Sequence, residues 1–144
     1  MTPATATVEF DQLNIGDTLP QRQYECGNVQ LMLYNAALWN GHRIHFDEPY
    51  AKDVEQYPRQ VIAGPPLGDW LPQRVEAWLG DRGRIFSIEY SNRIATYVGE
   101  VLTSGGNISD IRSADREIEI DVFIKNENQD IVAPGKVVAR FFDA

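Results

Sequence analysis

The amino-acid sequence predicts an α+β fold in which an antiparallel sheet packs around one major helix. The second half of the chain alternates apolar and polar residues with period two, whereas one long stretch of the first half has helical spacing. Helices grouped before consecutive strands are typical of α+β proteins. The 144 residues suit one domain, which we expect over residues 7–144, with residues 1–6 as a flexible start.

The predicted major helix occupies residues 64–79. Prolines stand in its opening turn, Gly80 follows as a stop, and large apolar residues recur at helical spacing: Leu67, Trp70, Leu71, Val75, Trp78 and Leu79. Pro72 lies inside this stretch. Because the proline ring removes a donor and clashes with the preceding turn, we expect Pro72 to kink or split the helix.

Two shorter helices and one early strand are also expected in the first half. The helices fall at about residues 30–38 and 48–55, and residues 21–26 could form the strand. Asp47 and Glu48 open the second of these helices. Carboxylates at such a position are more often N-terminal caps than a paired acid site.

Four strands in a meander are predicted after the major helix. Two segments alternate most clearly, with apolar Phe86, Ile88 and Tyr90 in the first and Ile118, Ile120, Val122 and Ile124 in the second. Residues 95–106 are expected to form a strand that runs into a glycine turn. Residues 136–142 are expected to form the last strand, after a turn at residues 133–135. Such a sheet exposes its edges, so we expect a dimer.

Composition limits the possible partners. The chain has 21 acidic and 13 basic residues and a net charge of −8, which argues against nucleic acid. No apolar run approaches the roughly 20 residues that span a bilayer, and the start lacks a signal-peptide pattern, so a cytoplasmic protein is expected. With one cysteine, Cys26, and two histidines, an ordinary structural zinc site is not expected.

The candidate reaction centre is LWNGHRIHFDEPYA, residues 38–51, which holds both histidines, His42 and His45. Histidine exchanges protons near neutral pH because its unperturbed pKa is roughly 6.5. Gly64 precedes the prolines of the major helix, and free N–H groups at a helix start suit a developing oxyanion. On spacing alone, a polar turn and a glycine that provides backbone freedom explain these residues equally simply.

Two stretches resemble a known family. LYNAALWNGHRIHFDEPYA, followed by YPRQVIAGPPL, is similar to the MaoC-like, or R-specific enoyl-CoA hydratase, family of hotdog-fold proteins. The similarity covers about residues 30–70. It is closest to the Asn-Gly-His-Arg-Ile-His branch, which includes mesaconyl-CoA hydratase-like and 3-hydroxyacyl-thioester dehydratase-like proteins. The resemblance implies a hotdog fold and reversible hydration of an enoyl thioester of coenzyme A or acyl carrier protein, without a metal or redox cofactor.

The resemblance also implies roles for individual residues. The catalytic histidine of the family falls on His45, and its oxyanion glycine falls on Gly64. The catalytic aspartate falls on Asn40, which can orient water but cannot act as a base. Ala63 stands where many members have histidine. The expected substrate contacts are Gly64, Pro65, Arg43, Tyr50, Leu67 and Trp70, and the candidates to meet ligand phosphates are Arg43, Arg59 and Arg74.

Three alternatives remain at this point. A hotdog thioesterase would bind the same thioesters but would need a carboxylate base, for which Asp69 is the candidate. A non-catalytic hotdog subunit could complete the pocket of a catalytic partner. The expected partners are an acyl thioester substrate and a second hotdog subunit, in a homodimer or a heterodimer. A generic α+β binding module would apply if the motif match were accidental.

Overall fold

The computed structural model of the chain describes residues 8–143, so the expected flexible start at residues 1–6 lies outside the described residues. The regular elements are, in order, β1 (Arg22–Glu25), α1 (Asn28–Ala37), α2 (Glu48–Asp53), α3 (Gly64–Leu79), β2 (Gly83–Tyr90), β3 (Val101–Arg112), β4 (Glu117–Lys125) and β5 (Ile131–Phe141). The described strands form one antiparallel sheet in the order β1-β3-β4-β5-β2. The predicted α+β class is confirmed.

Helix α3 is the central helix, and β2, β3, β4 and β5 all contact it. It is one continuous helix over its 16 residues, so Pro72 does not split it, and the expected kink stays a prediction. Leu71 and Val75 flank Pro72 and are fully buried. Because the sheet holds the helix on both sides of Pro72, packing compensates for the hydrogen bond that proline cannot make. Gly80 ends the helix with a φ of +56°, a conformation that glycine adopts readily.

The strand order differs from the predicted meander. Strands β3, β4 and β5 are consecutive neighbours, but β2 pairs with β5 at the sheet edge. The connection over residues 91–100 causes this difference. It is too long for a tight hairpin, and it pairs with the segment before α3 through the bridge Val61–Tyr97. The chain is thereby carried from β2, at one edge of the sheet, to β3, which lies beside β1 at the opposite edge.

Two predicted turns lie inside strands. Gly105 and Gly106 belong to β3, where a Cβ at Gly105 would lie 2.7 Å from Cζ of Phe123. Glycine therefore provides space for a ring of the neighbouring strand there. The predicted turn at residues 133–135 belongs to β5. The reversal lies at residues 126–130 instead, where the Asn126 side chain accepts backbone hydrogen bonds.

The alternation was predicted correctly in β4 and only in part in β2, where Ile88 lies against the core as expected but Phe86 and Tyr90 are exposed. The four apolar residues of β4 are buried, with at most 3% of their surface exposed. In β2 the pairing with β5 shifts between Ile85 and Ser87, so Phe86 forms a bulge. A bulge inserts one residue and turns the following side chains to the other face. Phe86 is consequently 54% exposed, whereas Ile85 and Ile88 pack against the core.

Leu71 provides a test of the central role of α3. We expect Leu71→Ala to lower the free energy of unfolding by about 2 to 5 kcal/mol, because the side chain is fully buried. The matched control is Leu33→Ala on α1, where the leucine is 60% exposed and a change within about 0.5 kcal/mol is expected. Urea denaturation followed by circular dichroism measures both. Equal losses in the two variants would contradict the assignment of α3 as the core helix.

Candidate functional site

His45 lies in a short 3-10 turn, Arg43–His45, between α1 and α2, and only 8% of its surface is exposed. Its Nδ1 atom is 2.7 Å from the carbonyl oxygen of Val61. A carbonyl can only accept, so Nδ1 carries the proton in this bond, and the neutral imidazole keeps a lone pair on Nε2. The turn thus presents a basic nitrogen in a fixed orientation.

The carbonyl of Val61 is itself held on both sides. The segment at residues 60–62 runs between two other pieces of chain. On one side the Val61 N–H donates to the carbonyl of Ile44 at 2.9 Å, and on the other the Ile62 N–H donates to the carbonyl of Thr96 at 2.8 Å. Because backbone bonds secure both flanks, the segment positions His45 more rigidly than a free loop would.

Helix α3 begins at Gly64, directly after this segment. Pro65 and Pro66 have no N–H, so Gly64 alone among the first three residues of the helix carries a backbone N–H. The Gly64 N–H has no acceptor among residues 8–143. It lies at the positive end of the helix dipole, where an oxyanion is favoured.

Gly64 is not required by backbone conformation. Its φ is not in the left-handed region, so the simple explanation that this turn needs glycine conformation does not hold. A Cβ at this position would overlap the side-chain amide of Asn92. A larger residue at position 64 would therefore have to displace the Asn92 side chain, which is exposed.

His45 and Gly64 line one cavity of about 240 Å³. Leu67, another residue expected from the sequence, also lines it. The other lining residues are Val61, Ile62, Asn92, Arg93, Ile94, Ala95 and Thr96. The cavity therefore combines a basic nitrogen, a free backbone donor and an apolar wall.

Asn40 is not among the residues that line this cavity. Its Nδ2 donates to Oδ1 of Asn35 at 3.1 Å, and its own Oδ1 accepts the N–H of His42 at 3.2 Å. It borders a neighbouring cavity of about 290 Å³ beside Trp39. Its amide therefore braces the turn that carries His45, and the expectation that it orients water stays a prediction.

Arg43 and Tyr50 form a separate polar group around Asp47. Arg43 pairs with Asp47 at 2.6 Å and lies over the Tyr50 ring, 4.1 Å from its centroid. Asp47 accepts the Tyr50 N–H and caps α2, as expected for this carboxylate. The Arg43 guanidinium holds the pKa of Asp47 below its usual range. Neither Arg43 nor Tyr50 lines the His45 cavity.

The remaining sequence candidates are dispersed. Pro65 is exposed, and Trp70 is a core residue that stacks on Tyr24 at 4.7 Å between ring centroids. Arg59 is exposed and donates to the carbonyl of Val98 at 3.0 Å. Arg74 is partly buried on α3, and its Nε has no partner among the described residues.

Asp69, the candidate base of a thioesterase, lies outside the His45 cavity and accepts a hydrogen bond from the Tyr34 hydroxyl. Burial and this carboxylate raise the pKa of Tyr34 to about 12. The pairing occupies the Asp69 carboxylate. None of the described residues that line the His45 cavity is acidic.

The environment of His45 favours the neutral imidazole. Burial is the main cause that lowers its pKa, and the neighbouring His42 lowers it further, whereas the bond to Val61 raises it. The two imidazole rings meet edge to face, with centroids 5.7 Å apart. A lowered pKa keeps Nε2 unprotonated, and therefore able to accept a proton, at neutral pH.

One wall of the cavity was not predicted from the sequence. Asn92, Arg93 and Thr96 line the cavity together with His45, whereas a strand was expected from residue 95 and nothing was expected of residues 92–94; the strand begins at Val101 instead. No motif marks them. Their placement follows from the pairing of Ile62 with Thr96, which is a contact between segments far apart in sequence.

Residues 8–143 contain no group of three or more histidine, cysteine or acidic side chains arranged to hold a metal ion. Within residues 8–143, no helix combines the length and the apolar character needed to cross a bilayer. Cys26 is a free, buried thiol, and burial raises its pKa.

Known structures share this fold. R-Hydratase PhaJ1 from Pseudomonas aeruginosa, in the unliganded form, superposes with a TM-score of 0.86, 13% identity and coverage of 96% of this chain and 88% of that chain. The ChsH1-ChsH2 complex from Mycobacterium tuberculosis gives a TM-score of 0.76 at 17% identity, with coverage of 90% and 98%. The sheet curled around α3 is the hotdog fold that the sequence resemblance implied.

Sequence comparison identifies the family. The profile of the hydroxyacyl-thioester dehydratase type 2 family matches residues 5–98, and the chain belongs to this family. A mesaconyl-C(4)-CoA hydratase from Chloroflexus aurantiacus is 49% identical over 35 residues, which cover 24% of this chain and 12% of that protein. The chain therefore corresponds to a small part of that relative. The predicted relationship to MaoC-like hydratases is confirmed.

Proton titration tests the environment of His45. We expect NMR to give His45 a pKa below about 6.5, because burial disfavours the charged ring. His42→Gln removes a neighbouring positive charge and should raise the pKa of His45. The same variant assigns the signals, since the chain has two histidines. A His45 pKa above about 6.5, or a decrease in His42→Gln, would contradict this account.

Proposed function

We propose that the chain is a hydratase/dehydratase that adds water to, or removes it from, an enoyl or 3-hydroxyacyl thioester. The observation that carries the proposal is the meeting of His45 and the Gly64 N–H in one cavity. A buried neutral imidazole supplies the proton transfer, and a free N–H at a helix start supplies stabilisation of an enolate oxygen. Family membership supports the same reaction class.

In the dehydration direction, Nε2 of His45 removes the proton alpha to the thioester carbonyl. The Gly64 N–H binds the carbonyl oxygen as negative charge develops there. The electron pair of the broken C–H bond forms the double bond, and the hydroxyl leaves the beta carbon with the C–O electron pair. Transfer of the proton from His45 to that oxygen completes a water molecule. The proposal includes no metal or redox cofactor, because these steps need only proton transfer and enolate stabilisation.

The remaining residues are assigned by position. Asn40 is proposed to act on His45 mainly through the turn, since both ends of its amide are bonded to protein. Leu67 supplies an apolar wall for the acyl group. Arg93 is the one charged side chain among the lining residues of the cavity, so it is proposed to meet the carrier, whether coenzyme A or acyl carrier protein.

Replacement of His45 tests the proposal directly. Hydration of crotonyl-CoA and of a branched or dicarboxylic enoyl-CoA is followed by loss of enoyl absorbance. We expect His45→Ala to lower kcat about 100- to 10,000-fold, the range for a missing acid-base group. Asn40→Ala in the same assay measures how much the amide contributes. Full turnover in a folded His45→Ala variant would rule out the assignment.

The Gly64 N–H can be removed without altering the helix start. Ala63 has φ −64° and ψ 152°, which suits a residue before proline, and proline is favoured in the first position of a helix. We expect Gly64→Pro/Asn92→Ala to lower kcat about 100- to 1000-fold relative to Gly64→Ala/Asn92→Ala, as for other oxyanion donors.

The matched design isolates the donor. In both double variants the Asn92→Ala change removes the amide that a new side chain at position 64 would overlap. The alanine variant retains the N–H, and the proline variant lacks it. Circular dichroism checks that both are folded. Equal kcat in the two variants would show that the Gly64 N–H does not stabilise the enolate.

A non-catalytic hotdog subunit is the second candidate function. Asn40 stands where the resembled family has a catalytic carboxylate, and the ChsH1-ChsH2 structure similar to this chain is a complex. A partner would then supply the missing acid-base group, and exposed edges of the sheet could join the two subunits. A folded chain without turnover on any thioester, which gains activity with a second hotdog protein, would select this function.

The thioesterase alternative has less support. Hydrolysis would need a base to activate water beside the thioester carbonyl, and the candidate Asp69 is paired with Tyr34 outside the cavity. Release of free thiol from the thioester, without change in enoyl absorbance, would be the result that favours it.

A further inference from the structure

Thr96 carries a buried hydroxyl that the proposed reaction has not used. Only 1% of the residue surface is exposed, and Oγ1 has no hydrogen-bond partner among the described residues. Buried hydroxyls are almost always paired, because an unpaired one loses its bonds to water without compensation. An orphaned hydroxyl therefore indicates a place where a ligand or water supplies the missing bond.

The position of Thr96 connects this hydroxyl with the reaction. Thr96 lines the same cavity as His45 and Gly64. Its carbonyl accepts the N–H of Ile62 at 2.8 Å, next to the Val61 carbonyl that holds His45. One short stretch of paired backbone thus fixes both the imidazole and the hydroxyl, so their relative position is set by the fold.

We propose that the Thr96 hydroxyl binds the water oxygen that is added to, or leaves from, the beta carbon of the substrate. This inference rests on the proposed hydratase function. The hydroxyl can donate to an oxygen that gains negative charge as its bond to carbon breaks, and it can accept from the water that attacks in the reverse direction. It is not consumed, because the transferred proton moves between His45 and that oxygen.

Two features favour the Thr96 hydroxyl as the group that binds the water oxygen. The carbonyl oxygen of the thioester already has the Gly64 N–H as its donor. The Asn40 amide, expected from the sequence to orient the water, is bonded to Asn35 and His42 and does not line the cavity. Thr96 is thus a neutral residue that lines the cavity and whose buried hydroxyl lacks a partner among residues 8–143.

Two substitutions at Thr96 separate the hydroxyl from the shape of the side chain. We expect Thr96→Val to lower kcat for crotonyl-CoA hydration about 10- to 100-fold, the effect of one lost hydrogen bond to a developing charge. KM should change less than about 3-fold, since the carbonyl donor remains. Thr96→Ser keeps the hydroxyl and should retain most of the activity. Thr103→Val, on β3 away from the cavity, is the control.

Stability distinguishes this role from a structural one. Because the hydroxyl has no partner in the part of the chain that the structure describes, Thr96→Val should have a Tm equal to or higher than that of the unaltered protein. If the Thr96 hydroxyl made a structural hydrogen bond, Thr96→Val would instead lower the Tm. Unchanged kcat in Thr96→Val, or a loss of equal size in Thr96→Ser, would overturn the inference.

Exchange of the alpha proton separates this inference from the proposed function. Butyryl-CoA has no double bond to hydrate, so exchange of its alpha protons with D₂O needs only the base and the oxyanion donor. We expect Thr96→Val to retain this exchange and His45→Ala to lose it, as measured by NMR. If Thr96→Val retained both the exchange and the full hydration activity, the role of Thr96 would be overturned, but the proposed hydratase function would not. A protein without turnover or exchange on any thioester would overturn both proposals.

Discussion

The hydrogen bond between Nδ1 of His45 and the carbonyl of Val61 is the contact on which the site depends. It sets the tautomer, and it fixes the direction of Nε2. The segment at residues 60–62 supports this bond on one flank through Ile44 and on the other through Thr96, and then leads directly into the first turn of α3. The imidazole and the Gly64 N–H are consequently arranged by one continuous piece of backbone.

The fold explains why this segment can be so well fixed. Helix α3 is held by four strands, so its first residue cannot move without disturbing the core. The connection from β2 to β3 does not form a hairpin but returns across the start of α3. This path brings residues 92–96 against the helix start, where Asn92 fills the space left by the missing side chain of Gly64. The irregular connection is therefore part of the cavity wall.

Local patterns in the sequence were sufficient to predict the helices and the strand β4. The family resemblance singled out His45 and Gly64, and the structure places both at one cavity. Local patterns failed where distant parts of the chain meet. The alternation in β2 was correct for Ile88 but wrong for Phe86, because the bulge at Phe86 depends on the register with β5. Glycine and proline are typical turn residues, but Gly105 and Pro134 lie inside β3 and β5, whose extents are set by pairing with the neighbouring strands. Thr96 carries no motif, and its significance appears only when its partner Ile62 is known.

Charge distribution gives a physical reason why the proposed reaction centre would have no carboxylate. The chain has 21 acidic residues, yet none of the described residues lining the His45 cavity is acidic, and Arg93 is there instead. An anion beside His45 would stabilise the imidazolium and raise its pKa, which would leave less neutral base at pH 7. A nearby anion would also oppose negative charge on an enolate oxygen. The neutral side chain of Asn40 in the turn, in place of a carboxylate, is consistent with both requirements, because it braces His45 without adding a negative charge.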